Sequence, residues 1–388
     1  MQTEDDVRAT VGKLWSRVLD HDRLAGDTDF FAAGGSSLMS LVLLTELNEA
    51  FDTELEMAEL ADCRTIDRQS AAVWQHLTRG RSTPVDRSAV LVPLTRAAAA
   101  DAPTIIAVHD VSGDVYGYTG LARELSGRAT LHGLKLAHER FEAPRALTVT
   151  GLAEEYVTAL EAAFEAPRRL VLLGWSLGGL IGFEMARLLD RRGRPLERLV
   201  LVDTPYGLDL PSPDDGEFTP ERERALLDGF ARPGDPPYPP DASLEELWRA
   251  VRARLDGPAK EHLTERLRAG FPLMSRVIPH LGSLNDHEFG CYVNRFRSVF
   301  RAGRGHRPEG TITTPLDLLT ATGSRTYDPR WAARTSAAFR RLPVDGDHFS
   351  VLDRRSAPAT ARAILAPDTR SAPPARPSAG GQTEGVGP

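Results

Sequence analysis

Residues 170–179 read Leu-Val-Leu-Leu-Gly-Trp-Ser-Leu-Gly-Gly. Leu170–Leu173 is a short, continuously apolar run, the pattern of a parallel strand covered on both faces. After Gly179 the apolar positions Ile181, Met185 and Leu188 fall at helical spacing. Between them stands Gly174-Trp175-Ser176-Leu177-Gly178. A Gly-x-Ser-x-Gly string alone is weak, because glycine and serine are common in turns. Between a strand and a helix it is far stronger. Small residues two before and two after the serine permit a sharp turn that exposes its hydroxyl. Ser176 is therefore the candidate nucleophile. The N–H of Leu177, at the start of the helix, is a candidate donor to an oxyanion beside it.

Outward from this turn, short β-branched or apolar runs alternate with helical stretches. The runs are Ala89–Leu94, Thr104–His109, Ala129–Leu134, Leu199–Asp203 and Leu316–Thr320, and the helical stretches lie near 117–127, 150–165, 177–193 and 329–340. The alternation predicts an open, mostly parallel α/β sheet over residues 89–366. Residues 206–300 interrupt it with helical patterns only, and we expect a helical insertion over the sheet there, either a lid or a subdomain with no gating role. Within it Ser243 and Glu246 form a capping box ahead of Leu247, Trp248 and Val251. The Asp/Pro-rich pieces 210–216 and 233–241 have little apolar content and are expected to open at low cost.

The first 78 residues differ. Val7, Val11, Leu14, Trp15, Val18 and Leu19 share one helical face, and Leu38, Leu41, Val42 and Leu44 another. A short helix is expected at 56–61, and a last one after Thr65 as N-cap, with Ile66, Val73, Trp74 and Leu77 apolar. These make a small four-helix bundle. Residues 79–88 read as a polar linker and 367–388, rich in Pro, Ala, Gly and Ser, as a disordered tail.

Totals narrow the function classes. With 388 residues, 41% hydrophobic and a formal net charge of −7, the chain suits two or three domains and argues against nucleic-acid or polybasic membrane binding. Two cysteines, Cys63 and Cys291, have no metal-ligand spacing and exclude a disulfide framework. The N-terminus is acidic and polar, and no apolar run reaches ~18 residues. The expected location is the cytoplasm, with no membrane, nucleotide or metal involved.

A serine nucleophile needs a base and the base an orienting carboxylate. In an α/β hydrolase the chain order is Ser, acid, His. His348 follows the last strand-like stretch and is the best base. His262, His280 and His287 lie in the helical insertion, and His109 precedes the serine. Asp203 ends a strand and leads into Thr204-Pro205, so it is the first candidate acid. Asp317, inside a strand, and Asp328, before a proline, are alternatives, with Asp328 the runner-up.

A second motif lies upstream: Asp29-Phe30-Phe31-Ala32-Ala33-Gly34-Gly35-Ser36-Ser37-Leu38. Ser37 falls at the start of a helix, where free backbone N–H groups and the helix dipole favour an anion. A capping serine would look the same from composition alone.

The string resembles the D-x-F-F-x-x-G-G-x-S-L signature of peptidyl carrier domains of nonribosomal peptide synthetases, over residues 4–78. The resemblance implies 4′-phosphopantetheine on Ser37, the serine directly before the leucine. Residues from about 89 to 365 resemble the type I thioesterases that end peptide and polyketide synthases. G-W-S-L-G-G is similar to their nucleophile turn, V-L-V-D-T to the strand bearing their acid, and G-D-H-F-S-V-L to their histidine segment. The resemblance implies Ser176 as nucleophile, Asp203 as acid and His348 as base. It also implies a second oxyanion donor at Val111, in His109-Asp110-Val111-Ser112-Gly113, where the family pattern is H-P-x-G-G. Here Asp110 replaces the proline and Ser112 the first glycine.

The expected activity is release of a carrier-bound acyl or peptidyl thioester through Ser176, by hydrolysis or macrocyclisation. The expected partners are upstream synthetase domains, a phosphopantetheinyl transferase and the acyl or peptidyl substrate. The alternatives are a polyketide-type carrier with the same thioesterase, a serine esterase with an unrelated helical N-terminus, and a carrier fused to an inactive hydrolase that serves for docking.

Overall fold

The computed structural model describes residues 3–366, apart from 20, 22–23, 31–32, 34, 36, 52, 54, 56–62, 79–89, 137–140, 165–168, 195, 211–215, 279–280 and 285. The helix expected at 56–61, the linker at 79–88 and the tail at 367–388 lie outside the described residues.

Three helices are described in the first 78 residues: α1 (Glu4–Leu19), α2 (Ser37–Phe51) and α3 (Ile66–Thr78). Val7, Val11, Leu14, Trp15 and Leu19 of α1 are buried, as the periodicity predicts. On α2 the buried set includes Leu43, Leu44 and Leu47. Of the positions expected inward there, Leu44 is buried, while the side chains of Leu38, Leu41 and Val42 lie outside the description. Trp15 joins the helices: its indole N–H donates to Gln69 Oε1 at 2.7 Å, and its ring meets Phe30 edge-on at 4.9 Å. Thr65 caps α3 by accepting from the Arg68 N–H at 3.3 Å.

The remainder is built on a seven-stranded sheet: β1 (Leu91–Thr95), β2 (Thr104–Val108), β3 (Thr130–Leu134), β4 (Leu170–Trp175), β5 (Arg198–Val202), β6 (Leu316–Ala321) and β7 (Phe339–Val344), in spatial order β1-β3-β2-β4-β5-β6-β7. Only β1 is antiparallel to its neighbour. The central strands β4, β5 and β6 are buried at every position, which is why apolar residues dominate them without alternation, Arg198 of β5 and Asp317 of β6 excepted. The helices α4 (Thr119–Leu125), α5 (Val149–Ala163) and α6 (Leu177–Arg191) provide crossovers, and α12 (Ala357–Leu365) follows β7.

One expected element is corrected. Residues 329–340 are not one continuous α-helix. A 3-10 turn at Pro329–Arg334 buries Trp331 and is capped by Asp328, and β7 begins at Phe339. Its sequence, Phe-Arg-Arg-Leu-Pro-Val, hides the strand because it is an edge. Pro343 is tolerated where pairing runs along one side only, and Arg340 reaches across to Asp317 of β6 with its Nε at 2.6 Å from Oδ1.

Among the described residues, five α-helices come between β5 and β6: α7 (Pro220–Phe230), α8 (Leu244–Ala253), α9 (Gly257–Gly270), α10 (Pro272–Val277) and α11 (Asp286–Arg304). The capping box of Ser243 and Glu246 is formed. The 233–241 segment is tied down more than its composition suggests. Arg254 donates to Pro236 O at 2.8 Å and lies over the Tyr238 ring, and Arg224 donates to Pro240 O.

The insertion is organised around a buried ion pair that hydropathy gives no hint of. Arg297 of α11 makes a two-pronged contact with Glu223 of α7, at 2.6 and 2.8 Å. Glu223 Oε1 also accepts from the Trp248 indole of α8 at 2.7 Å. All three side chains are buried. Such a pair contributes little net stability but is costly to half-remove. Arg297→Met should destabilise the protein by about 3–5 kcal/mol in denaturant unfolding. Adding Glu223→Gln should recover part of that loss. Equal stability of the wild type and Arg297→Met would contradict this account of the insertion.

Candidate active site

Ser176, Asp203 and His348 converge at the carboxyl ends of the strands, where open α/β sheets keep their sites. Ser176 occupies the turn between β4 and α6 with φ 56° and ψ −125°. Glycine is required on both sides of it. A Cβ on Gly174 would lie 2.3 Å from Gly178 O, and one on Gly178 would lie 2.4 Å from Val108 O and 2.5 Å from His109 O. The turn is therefore pressed against the end of β2. Its position is fixed by Ser176 N–H donating to Val202 O at 3.0 Å.

Among the described residues, Ser176 and Asp203 (φ 43°) are the two non-glycine residues with positive φ. Such backbone costs of order 1–3 kcal/mol per residue and persists where surroundings impose it. Both sit at the reacting end of the sheet.

His348 bridges them. Its Nε2 lies 3.0 Å from Ser176 Oγ and its Nδ1 lies 2.7 Å from Asp203 Oδ2. The other carboxylate oxygen of Asp203 accepts from Ala321 N–H at 3.0 Å. Burial alone would raise the Asp203 carboxyl. The hydrogen bond from His348, with those from Ser324, Thr326 and Ala321, outweighs it and holds the group below its ordinary value. Asp203 is therefore an anion against the imidazole. Asp347 shapes the histidine loop, its Oδ1 accepting from the N–H groups of Phe349 and Ser350 at 2.9 Å.

Asp317 and Asp328 do not meet His348. Asp317 lies near the opposite end of β6, paired with Arg198 at 3.2 Å and with Arg340. Asp328 is spent on Arg330 and its own cap. Among the other histidines, His109 is buried, and burial pushes its pKa down to about 4. Its Nδ1 donates to Asp110 O at 2.7 Å, which leaves Nε2 to accept from the Tyr156 hydroxyl at 2.6 Å. His262 bonds Phe230 O within the insertion, and His287 lies beside Cys291 on α11. His280 lies outside the described residues.

Sequence reasoning missed two supports. Trp175, the variable position of the Gly-x-Ser-x-Gly string, donates its indole N–H to His348 O at 2.9 Å. Tyr118 accepts from Trp175 N–H at 2.9 Å and donates to Val108 O at 2.7 Å, which ties the end of β4 to that of β2. Neither residue has a pattern that marks it; only the tertiary fold brings it to the site.

Leu177 follows the serine at the start of α6, and Val111 lies in the loop after β2. Among the described residues, no acceptor is bonded to the backbone N–H of either. Val111 is itself buried.

In the N-terminal bundle, Ser37 opens the fifteen-residue helix α2. The preceding loop is tight. Gly35 N–H donates to Phe30 O at 2.8 Å, and a Cβ on Gly35 would lie 2.4 Å from the Phe30 ring. At a helix start the positive end of the helix dipole favours an anion such as a phosphodiester.

The sheet, the serine turn and the histidine–aspartate pair define an α/β hydrolase. Residues 103–257 match the family model "Thioesterase domain", and residues 9–73 match "Phosphopantetheine attachment site". The chain is thus a phosphopantetheine carrier domain followed by a thioesterase domain, the arrangement of nonribosomal peptide synthetase release ends. It is 29% identical over 293 residues to a dimodular nonribosomal peptide synthase of Bacillus subtilis, covering 74% of this chain and 12% of that protein. It is 26% identical over 404 residues to pyochelin synthetase PchF of Pseudomonas aeruginosa, covering 90% of this chain and 21% of that protein. The chain therefore spans about a fifth or less of these relatives' length. A solved four-domain nonribosomal peptide synthetase, holo-AB3403 bound to AMP and glycine, superposes with a TM-score of 0.50 at 20% identity, covering 94% of this chain and 26% of that one; that likeness bears on fold alone. Among the described residues, no helix is long and apolar enough to cross a membrane, and no cluster of three or more His, Cys, Asp or Glu could hold a metal ion.

Proposed function

We propose that this chain releases a carrier-bound acyl or peptidyl chain by transfer from the carrier to Ser176, followed by hydrolysis or macrocyclisation, in nonribosomal peptide biosynthesis. The observation that carries the reading is the unbroken relay Ser176–His348–Asp203 in a chain that also bears a carrier motif. When bound to Ser37, phosphopantetheine supplies a flexible arm ending in a thiol that holds the acyl chain as a thioester.

His348 Nε2 accepts the Ser176 proton as Oγ attacks the thioester carbonyl, and Asp203 stabilises the imidazolium that forms. The N–H groups of Leu177 and Val111 hold the oxyanion. The C–S bond breaks, His348 returns the proton to the departing sulfur, and the acyl group remains as an ester on Ser176 Oγ. His348 then deprotonates a second nucleophile. Water gives a free acid; an amine or hydroxyl of the same acyl chain gives a ring. In either case Ser176 leaves with a proton from His348. The partners are upstream synthetase domains and a phosphopantetheinyl transferase, and the compartment is the cytoplasm.

A serine-directed fluorophosphonate tests the reaction. It should label one residue, Ser176, and abolish cleavage of an acyl N-acetylcysteamine thioester in proportion to labelling. Full thioester cleavage by fully labelled protein, or labelling at another residue, would defeat the reading and leave an inactive docking domain or another serine site in its place.

A further inference from the structure

The loop after β2 carries a carboxylate where a developing anion makes one costly. Asp110 is buried, one loop position from Val111. Its charge, however, is turned into the loop. Asp110 Oδ1 accepts from Ser112 N–H at 2.8 Å and from the Ser112 hydroxyl at 2.5 Å. The backbone closes the same turn, with Gly113 N–H donating to Asp110 O at 3.1 Å. Ser112 Oγ in turn accepts from Asp114 N–H at 3.1 Å. The side chains of positions 110 and 112 thus close a turn around Val111 whose own N–H is left unbonded.

The loop is also braced from the insertion. Asp114 Oδ2 accepts from the Tyr292 hydroxyl at 3.1 Å and from Arg295 Nη2 at 3.2 Å, both on α11. Arg295 is fully buried and lies beneath Gly113, which has φ +74° and whose Cβ, if present, would meet Arg295 Cδ at 2.7 Å.

We propose that Asp110 is a positioning residue: with Ser112 it closes the turn that presents the Val111 N–H to the oxyanion, and the Asp114–Arg295 pair anchors that turn to α11. The inference rests on Val111 being the second oxyanion donor. Asp110 itself touches no reacting atom. Burial raises its carboxyl to about 6 against the pull of the Ser112 hydrogen bonds, so the groups that hold its shape also hold its charge.

The test uses the full chain and an acyl N-acetylcysteamine thioester, with a long-chain alkyl trifluoromethyl ketone as an inhibitor that places an oxyanion in the hole. Asp110→Ala should lower kcat by about 30–100-fold with KM nearly unchanged, and inhibitor affinity should weaken by a similar factor. Asp110→Asn should recover most of both losses, because an amide oxygen accepts from the same Ser112 groups. Val111→Pro removes the donor itself and should cost about 10²–10³ in kcat. Rates are referred to the folded fraction measured by near-UV circular dichroism. Should Val111→Pro not fold, replacing the Val111 amide by an ester removes the donor while keeping the loop's shape. If removal of the donor is damaging but Asp110→Ala leaves kcat and inhibitor affinity intact, the positioning role is wrong and the donor stands. If removal of the donor costs nothing, the donor reading fails and the positioning role falls with it.

Discussion

Asp203→Asn should leave the protein folded and lower kcat for thioester cleavage by about 10⁴. The fold survives because asparagine adopts positive φ as readily as aspartate does, and position 203 has φ 43°. The loss follows from two of the bonds the carboxylate makes. One oxygen accepts from Ala321 N–H and the other faces His348 Nδ1. An asparagine must keep its single oxygen on the Ala321 donor, so its NH2 group faces the imidazole. His348 then has to accept at Nδ1 and carry its proton on Nε2, facing Ser176, where it cannot act as a base. Asp328→Asn keeps a capping oxygen and removes only the ion pair with Arg330, and Asp317→Asn weakens a pair at the far end of β6. Neither should change kcat by more than about threefold on the folded protein. If Asp328→Asn is the more damaging of these changes, the acid is misassigned.

How far these features could be read from sequence depends on how local their causes are. The turn at Ser176 was legible because its cause is local. Gly174 and Gly178 are small since backbone oxygens lie 2.3 and 2.4 Å from where their Cβ would be, and that need is written at fixed offsets from the serine. The buried runs of β4 to β6 were legible for the same reason. The strand β7 was not. Its stability comes from pairing with β6 and from Arg340 meeting Asp317, neither of which leaves a period in Phe339–Val344. Likewise Asp317, a charged residue inside a strand, reads as an anomaly until Arg198 and Arg340 are placed beside it. The positive φ of Asp203 has no signature at all, and Tyr118 and Trp175 act through single contacts made across the sheet. In the insertion, helices were visible by periodicity, but the Glu223–Arg297 pair that joins them looks in sequence like two ordinary surface charges.

The second large effect separates the two serines, which lie in different domains and are assigned different chemistry. Wild type, Ser37→Ala and Ser176→Ala are each treated with a phosphopantetheinyl transferase and an acyl-CoA, and intact mass is followed over time. Ser37→Ala should gain no mass, yet cleave an acyl N-acetylcysteamine thioester at the wild-type rate, because Ser176, His348 and Asp203 are untouched. Wild type should gain the acyl-phosphopantetheine mass and then lose the acyl portion. Ser176→Ala should gain it and keep it, since no hydroxyl remains within reach of His348 Nε2 to collect the chain. Retention should exceed that of wild type by about 10³-fold or more in lifetime. The decisive comparison is that lifetime in Ser176→Ala against wild type. A trapped acyl group on the alanine variant is the result the account predicts, and shedding at the wild-type rate is the result that would contradict it.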